Sequence, residues 1–181
     1  MNEGLIPNRY AKALLKFAIE KNADKHLYGL MNHLQDSFSK FPELDVTMAN
    51  PFVDPEKKIQ LLVTAAGADV NADSVFVDFL KLLKQNNRLP LARAIAIAYV
   101  EGYRRMNKIF KVEVSAAAPL TTESEDRLKK MILQHLDGGT MEYEFKLDSS
   151  LIGGFAVKVG SERLDASIKN ELKQIQHKLL G

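Results

Sequence analysis

The hydrophobic pattern of this chain changes period once, at Ile109, and that change divides what the two halves can fold into. Upstream, apolar residues recur at three- and four-residue steps, the spacing of one face of an α-helix. Downstream, Phe110, Val112 and Val114 alternate with Lys111, Glu113 and Ser115, the spacing of a half-buried strand. A residue run cannot satisfy both periods, so the switch marks a domain boundary with almost no linker. The expected organisation is an N-terminal helical domain over residues 1–107 and a C-terminal α+β domain over 108–181.

In the first half, Tyr10, Ala13, Leu14, Phe17 and Ala18 share one helical face, and the chain breaks at Asn22 to Asp24. Leu27, Leu30, Met31, Leu34 and Phe38 form a second face, which Pro42 and the Asn50-Pro51 step interrupt. Pro55 and Glu56 suit the first turn of a helix carrying Ile59, Leu62, Val63 and Ala66, and Gly67 can end it. Phe76, Phe79, Leu80 and Leu83 mark a further helix. From about Pro90, a long one places Ala92, Ile95, Tyr99, Gly102 or Tyr103, and Met106 on one side. The reading is a mainly α protein whose N-terminal half is a bundle of about six helices.

In the second half, Pro119 halts the first strand, and Thr122 with Glu125 fits a capping box before a helix with Leu128, Met131, Ile132 and Leu136 inward. Gly138-Gly139 ends it. Met141, Tyr143, Phe145 and Leu147 alternate with charged residues, as do Phe155, Val157 and Val159 with their neighbours. The strand-helix-strand order predicts a parallel pairing with a right-handed crossover. Gly153-Gly154 is expected to end a hairpin connection, giving a small α+β layer with a mixed sheet. Asp165 is expected to N-cap a last helix whose stripe is Ile168, Leu172, Ile175 and Leu179.

Composition narrows the function classes. Zero cysteines exclude disulfides, thiol catalysis and thiolate metal sites. Twenty-five Lys and Arg against 23 Asp and Glu leave a net charge of +2, too balanced for a whole-protein field that holds nucleic acid or an anionic membrane. No apolar run approaches the roughly 20 residues that span a bilayer, and the start lacks a signal-peptide core, so no direct membrane insertion is expected.

Catalytic constellations are equally sparse. His26 and His33 lie two helical turns apart, too far for one metal, and His135 and His177 stand alone. Gly153-Gly154 precedes a strand, where a phosphate loop would precede a helix. Ser115 and Ser161 have no base nearby in sequence, and Glu123 with Glu125 suit a helix N-terminus electrostatically. No catalytic residue, cofactor or metal ligand is assigned, and the chain is not expected to be an enzyme. The densest basic cluster is Arg104, Arg105, Lys108 and Lys111. It reads as a solvated face, with a nucleic-acid-binding module as the rival.

Taken in order, the motifs are specific. Arg9-Tyr10-Ala11-Lys12-Ala13-Leu14, Asn50-Pro51 with Lys57, Phe79-Leu80-x-Leu82-Leu83, Asn87-Arg88-Leu89, Val112-x-Val114-Ser115-Ala116-Ala117 with Pro119-Leu120, and Leu151-Ile152-Gly153-Gly154 followed by Asp165-x-Ser167 and Leu172 span nearly the whole chain. Together they resemble the δ subunits of bacterial F-type ATP synthases, counterparts of the mitochondrial oligomycin sensitivity conferral protein.

The resemblance implies a non-catalytic stator of the peripheral stalk at the cytoplasmic face of the bacterial inner membrane, monomeric within the complex. It implies two partners. The N-terminal helix of an α subunit enters a groove of the first and fifth helices, which here carry Tyr10, Ala13, Leu14, Phe17, Phe76, Phe79, Leu80 and Leu83. The C-terminal helices of the b subunits meet the C-terminal domain, with Leu172, Ile175 and Leu179 as contacts. The family has Ser-Ala-x-Pro-Leu where this chain has one residue more before Pro119.

Overall fold

The computed structural model describes residues 4–136, 138–149, 151, 154–160 and 162–167. The chain is mostly helical with a small mixed sheet, and it divides into two compact units, Met1–Arg105 and Met106–Gly181.

The first unit contains six α-helices: α1 (Leu5–Glu20), α2 (Asp24–Lys40), α3 (Glu43–Ala49), α4 (Pro55–Ala66), α5 (Ser74–Gln85) and α6 (Ala92–Met106), with a 3-10 turn at Leu89–Leu91. Three of the breaks carry a local signature. Asn22 adopts φ +53° between α1 and α2. Asp54 accepts from Glu56 N–H at 2.9 Å, with Pro55 at the first helical position, so α4 starts with a side-chain cap. Gly67, at φ +68°, ends α4 in the left-handed conformation that glycine enters without cost. The short helix α3 was not legible as a separate amphipathic face, because in seven residues only Met48 is buried.

The helices bury their periodic residues: Ala11, Leu14 and Ala18 from α1, Leu27, Met31, Leu34 and Phe38 from α2, Met48 from α3, Leu62 and Ala66 from α4, Phe76, Leu80 and Leu83 from α5, and Ile95, Ala96 and Tyr99 from α6. Met106, expected on the apolar side of α6, is instead exposed at the helix's last position. Polar groups inside are matched. Buried Lys58 donates from Nζ to the Met48 carbonyl at 2.8 Å, satisfying an acceptor at the end of α3. Ser37 Oγ donates to the Ala65 carbonyl at 2.7 Å, joining α2 to α4.

Tyr99 is fully buried and donates to the Asp24 carbonyl at 3.3 Å. Burial, and then the nearby Asp24 charge, raise its pKa above the ordinary value near 10. A raised native pKa means that its stabilisation is complete below pH 10 and is lost as pH climbs from there toward the native value. Denaturant melts at pH 8 and pH 11 should show the wild-type chain losing stability on the alkaline side. Tyr99→Phe should cost about 1 kcal/mol at pH 8 and flatten that loss. An unchanged alkaline slope in the variant would assign the effect to other groups.

The second unit is built on β1 (Ile109–Ala116). It pairs in parallel with β2 (Thr140–Leu147) across helix α7 (Thr122–His135), and antiparallel with β3 (Gly154–Val159), which pairs with β4 (Glu162–Ser167). The strand order is β2-β1-β3-β4. One face carries Val112, Val114 and Val157 against Leu128 and Ile132 of α7 and Leu136 just after it. The opposite face carries a charge ladder: Lys111 Nζ lies 3.1 Å from Glu113 and 3.2 Å from Glu144, and Lys146 lies 3.1 Å from Glu144. Hydrogen bonds from Lys111 and Lys146 hold the Glu113 and Glu144 carboxyls below their usual range.

Four expectations for this unit need correction. The cap of α7 is Thr121, whose Oγ1 accepts from Ser124 N–H at 3.3 Å, so Thr122 is the first helical residue. Met131 is 52% exposed, because Leu128, Ile132 and Leu136 already fill the strip that faces the sheet. Gly153-Gly154 does not join a hairpin: Leu147 and Phe155 both pair with Ala116, so β1 lies between β2 and β3, and Asp148 N–H donates to the Ala116 carbonyl at 2.9 Å. Alternation identifies strands without saying which third strand lies between them. Asp165 lies within β4 opposite Ala156 and so caps no helix there. The hairpin runs from Val159 to Glu162, opened by Gly160 at φ +58°. The stripe of Ile168, Leu172, Ile175 and Leu179 lies outside the described residues.

Candidate partner-binding groove

On α1, Ala11, Leu14 and Ala18 face the core, and the adjoining strip bears Tyr10, Ala13 and Phe17. On α5, Phe76, Val77, Leu80 and Leu83 are buried, and Val75, Asp78, Phe79 and Leu82 follow the same i, i+3, i+4, i+7 spacing toward α1. The two strips enclose an open apolar groove of about 280 Å³, lined by Tyr10, Ala13, Leu14, Phe17, Val75, Asp78, Phe79 and Leu82. A second hollow of about 400 Å³ shares Tyr10, Ala13 and Leu82 and extends to Ile6, Arg9 and Arg88. The low-numbered end of α1 thus meets the high-numbered end of α5, and the trough runs between antiparallel helices.

The walls meet through aromatic packing. Tyr10 and Phe79 pack edge to face, with ring centres 6.5 Å apart and planes at 66°. Phe17 and Leu82 are 43% and 45% exposed, a large apolar area for water to cover, and the Lys21 ammonium lies 5.6 Å from the Phe17 ring centre. Ala13, exposed at mid-groove, leaves only a methyl group between α1 and an incoming chain.

Of the eight residues expected at a groove, the structure places Tyr10, Ala13, Leu14, Phe17 and Phe79 on its lining. Phe76, Leu80 and Leu83 do not line it: they are fully buried, filling the core against the other helices. Val75, Asp78, Leu82, Ile6, Arg9 and Arg88 were missed. A signal existed in α5, where Val75 and Leu82 are apolar residues in excess of what a one-sided helix needs. Leu172, Ile175 and Leu179 lie outside the described residues.

The other candidates resolve differently. His26 Nε2 lies 2.5 Å from Asp73 Oδ1, while Asp73 Oδ2 accepts from Asp69 N–H at 2.7 Å, so this pair ties the start of α2 to the α4–α5 loop. Among the described residues, no three His, Cys, Asp or Glu side chains converge to hold a metal ion. Arg104 turns onto its own unit: Nε donates to the Tyr28 hydroxyl at 2.9 Å, and Tyr28 stacks on Tyr103 at 4.4 Å. Lys111 is engaged in the sheet ladder. Two members of the basic cluster are therefore held by internal partners. No described helix is long and apolar enough to cross a membrane.

An apolar trough between two antiparallel helices thus lies in a helical unit that is followed in sequence by a small mixed-sheet unit. Residues 6–179 match the family model for the ATP synthase delta (OSCP) subunit. The chain is 34% identical to the ATP synthase subunit delta of Parabacteroides distasonis, covering 99% of this chain and 98% of that protein. It is 32% identical to that of Phocaeicola vulgatus, covering 98% and 95%. The fold is similar to a chain in the cryo-EM structure of the Toxoplasma gondii mitochondrial ATP synthase hexamer, with a TM-score of 0.71, 23% identity and 97% of each chain covered. The chain belongs to the ATP synthase delta (OSCP) subunit family.

Proposed function

We propose that this chain is a non-catalytic stator adaptor in the peripheral stalk of an F-type ATP synthase, linking the catalytic head to the b subunits. In this reading the N-terminal unit acts as a six-helix bundle that receives the N-terminal helix of an α subunit between α1 and α5. The C-terminal unit meets the C-terminal helices of the b subunits, with Leu172, Ile175 and Leu179 as contacts. The chain works as a monomer within the complex, at the cytoplasmic face of the bacterial inner membrane. Its task is mechanical: the head must stay still while ion-driven rotation of the central shaft forces its catalytic sites through their cycle.

The observation that carries this reading is the groove, whose apolar lining fits an amphipathic helix with anchors at i, i+3, i+4 and i+7. Nanomolar affinity, about 12 kcal/mol, is within reach of such a contact with a few buried anchors. Calorimetric titration of the full chain with a peptide copying the α subunit's N-terminus should give a one-to-one complex in the nanomolar range. Absence of measurable binding by folded protein overturns the proposal.

A further inference from the structure

The groove is apolar along its length but unsymmetrical in charge. Midway along the α5 wall, between Val75 and Leu82, Asp78 is already paired with Lys81 at 3.1 Å. At one end stand Arg9, from the first half of α1, and Arg88, just beyond α5, around the same hollow as Ile6 and Leu82. Both arginines are exposed, and among the described residues neither side chain has a hydrogen bond or an ion pair. Two like charges thus border an apolar trough, and no described residue pairs with either of them.

Guanidinium groups bind carboxylates through two parallel hydrogen bonds, and an apolar wall beside them keeps water from screening the pair fully. We infer that Arg9 and Arg88 form an acid-reading end of the groove, so that the helix it receives carries Asp or Glu at the end of its apolar stripe lying over Ile6, Leu82 and the two arginines. The inference rests on the proposed role of the groove as a helix-binding site and adds the register and orientation of the occupant. A repeating apolar stripe fits the trough in either direction and slides by a turn. Two fixed cations at one end break that degeneracy. A side-chain carboxylate carries a full charge, against about half a charge at a helix terminus, so the acidic residues decide which end lies there. Paired charges at a rim set orientation and association rate more than affinity.

The test uses the full chain and three synthetic amphipathic helices of about 18 residues, sharing one apolar stripe and ending in two Glu, two Gln or two Lys. The Glu peptide should bind about tenfold tighter than the Gln peptide and weaken with added salt. A nitroxide at its acidic end should broaden the amide signals of Ile6, Arg9 and Arg88, and one at its other end those of Phe17 and Val75. Joint Arg9→Glu and Arg88→Glu should reverse the order in favour of the Lys peptide. Arg9→Gln with Arg88→Gln should make the three peptides equal, and both variants should keep the wild-type helical spectrum. Equal affinities for all three peptides on the wild-type chain, or labels that broaden both ends alike, overturn the inference while leaving the groove reading intact. If none of the three binds, the groove reading fails with it.

Discussion

Replacing Ala13 by aspartate is expected to weaken binding of the α-subunit peptide by about a hundredfold or more while the chain stays folded. Ala13 is solvent-exposed in the free protein, so the new carboxylate keeps its water, and the cost to α1 is a helix-propensity loss of about 0.5 kcal/mol. In the complex the same carboxylate is covered by the apolar face of the incoming helix between Tyr10 and Phe17. An unpaired charge stripped of water costs several kcal/mol, and about 2.7 kcal/mol already corresponds to a hundredfold. Lys12→Asp, one residue earlier and off the groove lining, is the control and should change affinity little. Titration and circular dichroism on the same samples separate loss of binding from loss of fold. Full-strength binding by Ala13→Asp would move the partner away from α1.

The second large effect is expected at Gly139→Ala. A Cβ built there lies 2.5 Å from the Phe110 ring and 2.6 Å from the Lys108 carbonyl oxygen. The ring can swing aside, but the carbonyl cannot. It accepts Thr140 N–H at 3.0 Å and so fastens the first parallel pair, Ile109 with Thr140. Relieving the overlap means opening the start of the β1–β2 ladder. Overpacking of this kind costs about 1–3 kcal/mol, which lowers the melting temperature of a unit of this size by about 10 °C. The groove belongs to the other unit, so peptide affinity should persist. Hydrogen exchange should show protection lost in β1 and β2 and kept in α2 and α6. Unchanged protection in β1 and β2 would show that the glycine is not required.

What was legible in the sequence followed from periodicity. The helices through Leu27–Phe38, Ile59–Ala66 and Phe76–Leu83, and the parallel pairing of β1 with β2 across α7, each follow from one face that must be buried. What was not legible depended on which neighbour buried it. Tyr10, Phe79 and Phe76 look alike in sequence, yet two line a groove and the third fills the core, because that outcome is decided by helices distant along the chain. The expected β2–β3 hairpin and the expected cap at Asp165 failed for the same reason: a glycine pair and an aspartate have local meanings that pairing with another strand overrides. Arg9 and Arg88 carried no periodic signal at all. Their proximity exists only once α1 and α5 lie antiparallel.

The two walls of the groove come from nearly opposite ends of the helical unit's sequence, and this orders events during synthesis. When α1 leaves the ribosome it offers half a site, with Tyr10, Ala13 and Phe17 exposed and nothing opposite them. At about 5–20 residues per second, several seconds pass before α5 follows and the core behind it closes. A nascent chain therefore lacks the second wall of this surface until the helical unit closes. Under the proposed function, attachment of the partner helix would then report that the helical unit has finished folding.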